Sequence, residues 1–317
     1  MLVNFSDDIR QPWSTGFISQ QYNTAEQNVV GFYRESTWGQ VSVSADVFGW
    51  LPIAETTTSC SLNAISSQAD AAATASGVNL ATYTNRAYIF PYNDGCHIAG
   101  TGEQPGTRVW IGLTPEGCVE ATGACQSRHL FSHEFGHNFG LDHANLLRCT
   151  DALGNLVTLS NTCTVVARGD GFSVMGCCNN TLFSNLQRLQ MGWIPPSQVV
   201  TVTQTSTLTI TPADTASSLI YRIPDGTGKY LYLENRARAA TPYELNYPTG
   251  WPNGALLFRR APDFTTIAPT EILIGGPNTP GHPVALAVGD GFTMPSGTTM
   301  TNLGFDGVNN TVLVEVP

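Results

Sequence analysis

The chain has 317 residues, a net charge of −10, 42% hydrophobic and only 12% charged residues, with one lysine, Lys229, among its fourteen basic side chains. This length accommodates two domains, each with its own core. The acidic balance argues against nucleic acid or an anionic membrane as partner, and no run of 18 apolar residues exists to form a transmembrane helix.

Residues 2–5 form a short apolar run that predicts a central strand. Residues 24–36 predict a helix, with Thr24 as N-cap and Val29, Val30, Phe32 and Tyr33 as its apolar face. Residues 40–47 alternate apolar and polar side chains, the period of a half-buried strand. Ile65, Ala69 and Ala73 recur at helical spacing and predict a second helix over 63–77. Strands follow at 86–90 and 107–113, the latter just before a helix that starts near Gln126 or Ser127.

That helix carries His133-Glu134-Phe135-Gly136-His137-Asn138-Phe139-Gly140-Leu141-Asp142-His143, an H-E-x-x-H-x-x-G-x-x-H pattern. Four residues apart on a helix, His133 and His137 share one face and can reach one metal ion. Glu134 stands beside the first ligand, within reach of a water in the metal's open position. Gly140 can adopt φ > 0, end the helix and bring His143 back as a third ligand. Three neutral nitrogens and one water form a catalytic zinc arrangement, whereas structural sites close all four positions with protein. Asp142 can orient the imidazole of His143, or serve only the turn. The sequence does not indicate a calcium site.

Downstream, 144–172 reads as loop-rich, Ser173-Val174-Met175-Gly176 reads as a Met-turn, and 182–193 predicts a helix ended by Gly192-Trp193. Pro195-Pro196 marks a domain boundary, giving domains 1–196 and 197–317. Beyond it, short alternating runs at 200–203, 207–210, 230–233, 255–258 and 311–316 predict an all-β sandwich or small barrel. That part has no second catalytic motif. His282, beside Pro283, receives no role, and Tyr243, Tyr247 and Trp251 are either a binding surface or interdomain packing.

Eight cysteines without a C-x-x-C pair favour disulfides and an oxidising compartment over a second metal cluster. Adjacent Cys177 and Cys178 reach disulfide geometry poorly, so they are expected to pair with Cys149 and Cys163, leaving Cys60–Cys96 and Cys118–Cys125. Glycosylation sequons at Asn4, Asn179 and Asn309 fit a secreted chain. No signal peptide opens the chain, so it reads as a trimmed mature form without its targeting and any inhibitory pro-segment.

The zinc helix, third histidine and methionine resemble the metzincin clan of zinc endopeptidases. The Phe-Gly-His-Asn-Phe-Gly-Leu core, the leading Leu-Val-Asn-Phe strand and the run from Tyr-Leu-Glu-Asn-Arg to Gly-Ala-Leu-Leu-Phe-Arg are similar to the gametolysin family of secreted metalloendopeptidases. The resemblance implies an α+β metzincin-type catalytic domain, a twisted mixed sheet with a zinc-binding active-site helix, followed by an all-β C-terminal domain. It implies one catalytic Zn2+ on His133, His137 and His143, Glu134 as general base, and Met175 packing beneath the imidazoles. It further implies a protein or peptide substrate that pairs with an edge strand of the sheet, expected at 107–113 or just after, in a secreted monomer. Some metzincins place a tyrosine two residues after the methionine to help hold the oxyanion; here that position is Cys177. Two other functions compete: a glycan- or matrix-binding adhesin with an auxiliary metal domain, and a zinc hydrolase of a non-peptide amide.

Overall fold

The computed structural model describes residues 1–177, 179–236, 242–243, 255–274 and 285–317. It is a mixed α/β protein with few helices and many strands. The chain divides into two compact units, Met1–Glu35 with Gly39–Gly140, and Ser36–Trp38 with Leu141–Pro317. The Pro195-Pro196 boundary expected from the sequence therefore falls inside the second unit.

The first unit runs β1 (Val3–Asn4), α1 (Thr15–Asn23), α2 (Val29–Ser36), β2 (Leu51–Pro52), α3 (Leu62–Ala75), β3 (Arg86–Pro91), β4 (Gly100–Gly102), β5 (Arg108–Leu113), β6 (Cys118–Val119), β7 (Ala124–Cys125) and α4 (Arg128–Asn138). Strand β1 pairs in parallel with β2, and Leu2 bridges to Ile89 of β3, so the first strand is central as expected. Val3, Phe5, Leu51 and Ile53 form a core with Tyr88, Phe90 and Trp110, closed by Ile65, Ala69 and Ala73 of α3. Those three positions are the helical stripe visible in the sequence. Ser61 caps α3 by accepting from the Ala64 amide.

Two local expectations fail. The helix expected over 24–36 starts later, because Asn28, not Thr24, supplies the side-chain oxygen that accepts the Gly31 amide, at 2.6 Å. Thr24 is instead the C-cap of α1, a helix capped by Ser14. Residues 40–47 keep their alternation in burial but form no strand. Here the Asn23 side chain takes the place of a strand partner, donating to the Ala45 carbonyl at 2.9 Å and accepting the Ala45 amide at 3.3 Å.

The second unit runs β8 (Ala144–Thr150), β9 (Leu156–Val157), β10 (Thr162–Val166), α5 (Asn185–Gln190), β11 (Val199–Thr201), β12 (Ser206–Ile210), β13 (Ile220–Pro224), β14 (Tyr230–Arg236), β15 (Ala255–Ala261), β16 (Thr270–Leu273), β17 (Gly291–Thr293), β18 (Thr299–Phe305) and β19 (Asn310–Glu315). One sheet has the order β10-β8-β16-β15-β14-β13-β11 with β9 on β8, and a second has the order β12-β19-β18-β17. Leu147, Leu231, Leu233, Leu256 and Phe258 of the first sheet share a core with Leu208, Ile210, Met300, Val312 and Val314 of the second. The other face of the first sheet presents Ala255, Leu257 and Ile272, which pack with Phe172 of the loop before α5. Strand side chains alternate between faces, so residues 255–258 of β15 read as a continuous apolar run because both faces are covered there.

The stretch expected to be loop-rich, 144–172, keeps its loops but also carries three strands, β8, β9 and β10. Its central hairpin sets Cys149 opposite Cys163 in an antiparallel register, with 4.0 Å between their Cα atoms, and the two form a disulfide. This corrects the expected pairing of these cysteines with Cys177 and Cys178. Direct opposition on neighbouring strands brings two cysteines together without any reach from the Met-turn. Cys60–Cys96 and Cys118–Cys125 pair as expected. Cys177 is also disulfide-bonded, while Cys178 lies outside the described residues. The Asn4 sequon is buried, its amide nitrogen donating to the Arg10 carbonyl at 2.8 Å. Helix α5 is shorter than the expected 182–193 and opens with a capping box between Ser184 and Gln187.

Arg188 of α5 explains why Ser36–Trp38 belongs with the second unit. Its buried guanidinium donates to the carbonyls of Ser36 at 2.8 Å and Ala213 at 2.6 Å and lies over the Trp38 ring at 4.7 Å.

Candidate metal centre

Helix α4 positions the first two histidines and the glutamate. His133, Glu134 and His137 are buried, at 6%, 4% and 6% exposure. The opposite side of the helix is held by aromatics: Phe131 packs on Tyr22 at 4.8 Å between ring centroids, and the Tyr33 hydroxyl donates to the Ser132 carbonyl at 2.8 Å. Burial raises the Tyr33 phenol well above its usual range, so it remains a proton donor to that carbonyl.

The Nε2 atoms of His133 and His137 lie 3.2 Å apart, with the rings near perpendicular at 81°. Two nitrogens bound tetrahedrally to one zinc, each at 2.0–2.1 Å, stand about 3.3 Å apart. The pair is therefore set as two edges of one coordination shell. After Asn138 the helix ends; the Gly140 amide donates to the His137 carbonyl at 2.7 Å, and Gly140 takes φ 105°. Only glycine adopts that backbone without strain. The ligand nitrogens of His133, His137 and His143 all lie within 4.8 Å of one another. Among the described residues no thiolate or carboxylate belongs to this group, and three imidazoles are the donor set of a catalytic zinc site rather than a closed structural one.

Strand β4 borders α4. A Cβ placed on Gly100 would stand 2.3 Å from Oε1 of Glu134, and one on Gly102 would stand 2.6 Å from the Glu134 carbonyl. The Glu134 carboxylate thus rests against the backbone of β4, and only glycine permits the contact. Within its sheet the order is β3-β5-β4. The sequence put the bordering edge at 107–113 or just after it, but β5 is the middle strand and β4 lies at the edge. The three-residue Gly-Thr-Gly stretch is too short and too poor in β-formers to register as a strand.

Asn138 escaped the sequence reading. Its side-chain nitrogen donates to the carbonyls of Glu103 and Arg108, each at 3.0 Å, and its oxygen accepts from Asn85 at 3.1 Å. It clamps the β4–β5 turn to the end of the metal helix. A polar residue within a buried stripe was the available signal.

Asp142 accepts the His143 amide at 2.7 Å, while its carboxylate stays 4.0 Å from Nδ1 of the His143 ring, beyond hydrogen-bond reach. Here it shapes the turn rather than gripping the imidazole. Met175 is fully buried, and its carbonyl accepts the Ala144 amide at 2.9 Å. Cys177, at the position of the tyrosine found in some metzincins, is committed to a disulfide. Tyr243 is buried at 1% exposure; Tyr247, Trp251, His282 and Pro283 lie outside the described residues.

Three imidazoles converge as a candidate donor set for one metal ion, and Glu134 is buried on the same helix as two of them. A family model described as gametolysin peptidase M11 matches residues 13–238, and the chain belongs to that family. It is accordingly a metallopeptidase hydrolase acting on protein or peptide, and the family together with the three histidines implies zinc. No curated protein matches the chain.

Proposed function

We propose that this protein is a secreted zinc endopeptidase of the metzincin type, with His133, His137 and His143 as ligands and Glu134 as general base. The convergence of the three imidazoles beside the buried Glu134 carboxylate carries the reading. A zinc ion in that donor set supplies a Lewis acid for the scissile carbonyl and a water acidified to a pKa of ~7. Glu134, fixed against β4, takes the proton of the attacking water and returns it to the leaving amine. Strand β4, at the sheet edge, offers main-chain hydrogen bonds to an extended substrate, which orients the peptide without demanding particular side chains. Met175 supports the third ligand from below, and Asp142 sets the turn that presents it.

The three described disulfides fit an extracellular site of action, and no described helix is long and apolar enough to cross a membrane. The acidic, lysine-poor surface fits a monomer without nucleic-acid or membrane partners. The part after Pro196 reads as an all-β C-terminal domain.

The test is digestion of gelatin or casein with and without a chelator, alongside Glu134→Gln and His137→Ala. Wild type should cleave and lose activity to the chelator. Glu134→Gln should keep about one zinc while kcat falls by several orders of magnitude, and His137→Ala should lose metal as well. An active Glu134→Gln variant would refute the proposed base. A wild type that binds zinc but cleaves no protein would return the adhesin and non-peptide amide readings.

A further inference from the structure

The loop between β10 and α5 carries the Met-turn, and a chain of buried charges fastens it to the sheet. Asp170 of the loop and Arg259 of β15 form an ion pair in which both side chains are fully buried. The Arg259 Nε lies 3.5 Å from Glu234 of β14, and Glu234 accepts from Arg236 at 2.5 Å, both of these being 2% exposed. Two carboxylates and two guanidiniums are thereby taken out of water together, with no net charge. Burial pushes the Arg259 guanidinium down to about 9, so it remains a cation at neutral pH.

Further hydrogen bonds from these charged side chains go to the loop backbone. Arg236 donates to the carbonyls of Phe172 at 2.9 Å and Leu182 at 3.3 Å. Glu234 accepts the Asn185 amide at 2.8 Å, and Asp170 accepts the Phe172 amide at 2.8 Å. The loop is gripped before and after Met175, on the face of the sheet where Phe172 packs against Leu257.

The loop in turn holds the residue next to the third histidine. Ala144 donates its amide to the Met175 carbonyl at 2.9 Å, and its carbonyl accepts the Asp170 amide at 3.3 Å. Thr270 of β16 donates to the His143 carbonyl at 3.2 Å. Gly176 closes the arrangement, since a Cβ there would collide with the Asp170 carbonyl. A glycine after the methionine is therefore required by Asp170. Two carboxylates and two guanidiniums buried together cost several kcal/mol each in desolvation, so apolar residues would stabilise this sheet at least as well. Exact placement of the loop is what the charges add.

We infer that Asp170, Arg259, Glu234 and Arg236 are positioning residues for the third metal ligand, acting through the main chain of Ala144 and the Met-turn. The inference rests on the zinc-site reading above. Loss of the fork in Arg259→Lys, or of one charge in Asp170→Asn, lets the loop shift and leaves His143 less well held. Substitutions behind a metal ligand typically weaken metal binding by about 10–100-fold.

The experiment is zinc affinity of the full chain by competition with a chromogenic chelator, with melting temperature measured in parallel. Arg259→Lys and Asp170→Asn should each bind zinc at least tenfold more weakly than wild type. Leu208→Ala, in the core on the other side of the sheet, should lower the melting temperature and leave zinc affinity within twofold. If Arg259→Lys fails to fold, Asp170→Asn carries the test, because it preserves side-chain size and an acceptor for the Phe172 amide. Variants that bind zinc as wild type does, or a Leu208→Ala variant that weakens zinc equally, would overturn the inference. A wild type that binds no stoichiometric zinc would overturn the metal-site reading itself.

Discussion

Gly100→Ala isolates the placement of the general base from every other property of the site. The new methyl would stand 2.3 Å from Oε1, 2.9 Å from Cδ and 3.1 Å from Cγ of Glu134. Non-bonded carbon contacts settle near ~3.5 Å, so the carboxylate must retreat by roughly 1 Å. A displacement of that size in a reacting group costs on the order of 100-fold in rate, or about 2.7 kcal/mol at ~1.36 kcal/mol per tenfold. The colliding atoms belong to a flexible side chain, and Gly100 is not in the left-handed region. An alanine there also restricts the unfolded chain, worth about 0.4–1 kcal/mol in favour of folding. The melting temperature should therefore change little, and zinc should remain bound at wild-type stoichiometry. The assay is kcat on a short fluorogenic peptide, with metal content and melting temperature measured on the same preparation. A kcat within twofold of wild type would show that the carboxylate of Glu134 does not work from the position it holds against β4.

Two further outcomes follow from the same structure. Glu103 lies below its usual 4.5 chiefly because Arg108 donates to it, with the amides of Thr107 and Arg108 adding to the effect against an opposing desolvation. Its folded pKa is depressed, so its contribution to stability is complete above the unfolded value and is lost as pH falls through the folded one. Glu103→Gln should flatten melting temperature against pH below about 4.5 and leave the slope above unchanged; identical acid limbs in both proteins would refute this. A chain ended after Gln198 should be insoluble or inactive even on short peptides, because Leu147 and Cys149 share a core with Leu208, Leu231, Phe258 and Val312. A soluble truncated form with full peptide activity would instead make the distal strands a substrate-binding module.

What the sequence disclosed was whatever local chemistry determines. Helical spacing exposed α3 and the His133–His137 pair, and the φ requirement at Gly140 marked the end of the metal helix. What it concealed depends on distant partners. The alternation at 40–47 is the signature of a strand, yet no ladder forms, and the backbone of Ala45 bonds the Asn23 side chain instead. The Cys149–Cys163 bond follows from a hairpin register that the turn-rich composition of 144–172 obscured. Glu234 and Arg236 sit two apart at the end of a strand that opens Tyr-Leu-Tyr-Leu, an arrangement that puts both charges on one buried face. That signal was present in Tyr-Leu-Tyr-Leu-Glu-Asn-Arg, but its partners on β15 and in the Met-turn loop were not readable from it.

The three histidines are therefore set by two different kinds of physics, one local and one long-range. His133 and His137 are placed as soon as one short helix forms, because the four-residue spacing alone puts them on one face. His143 precedes β8, and β8 is fixed by its register with β16, where Ala144 pairs with Thr270 far downstream. Such a pairing must close a long loop before any of its contacts form, so it is intrinsically the later event. Helix α4 carries two imidazoles and a carboxylate on one element, whereas the main chain at His143 and Ala144 is held by hydrogen bonds to Thr270 and the Met-turn loop. Completion of the donor set is thus coupled to folding of the distal strands, and a helix bearing only H-E-x-x-H does not by itself amount to the site.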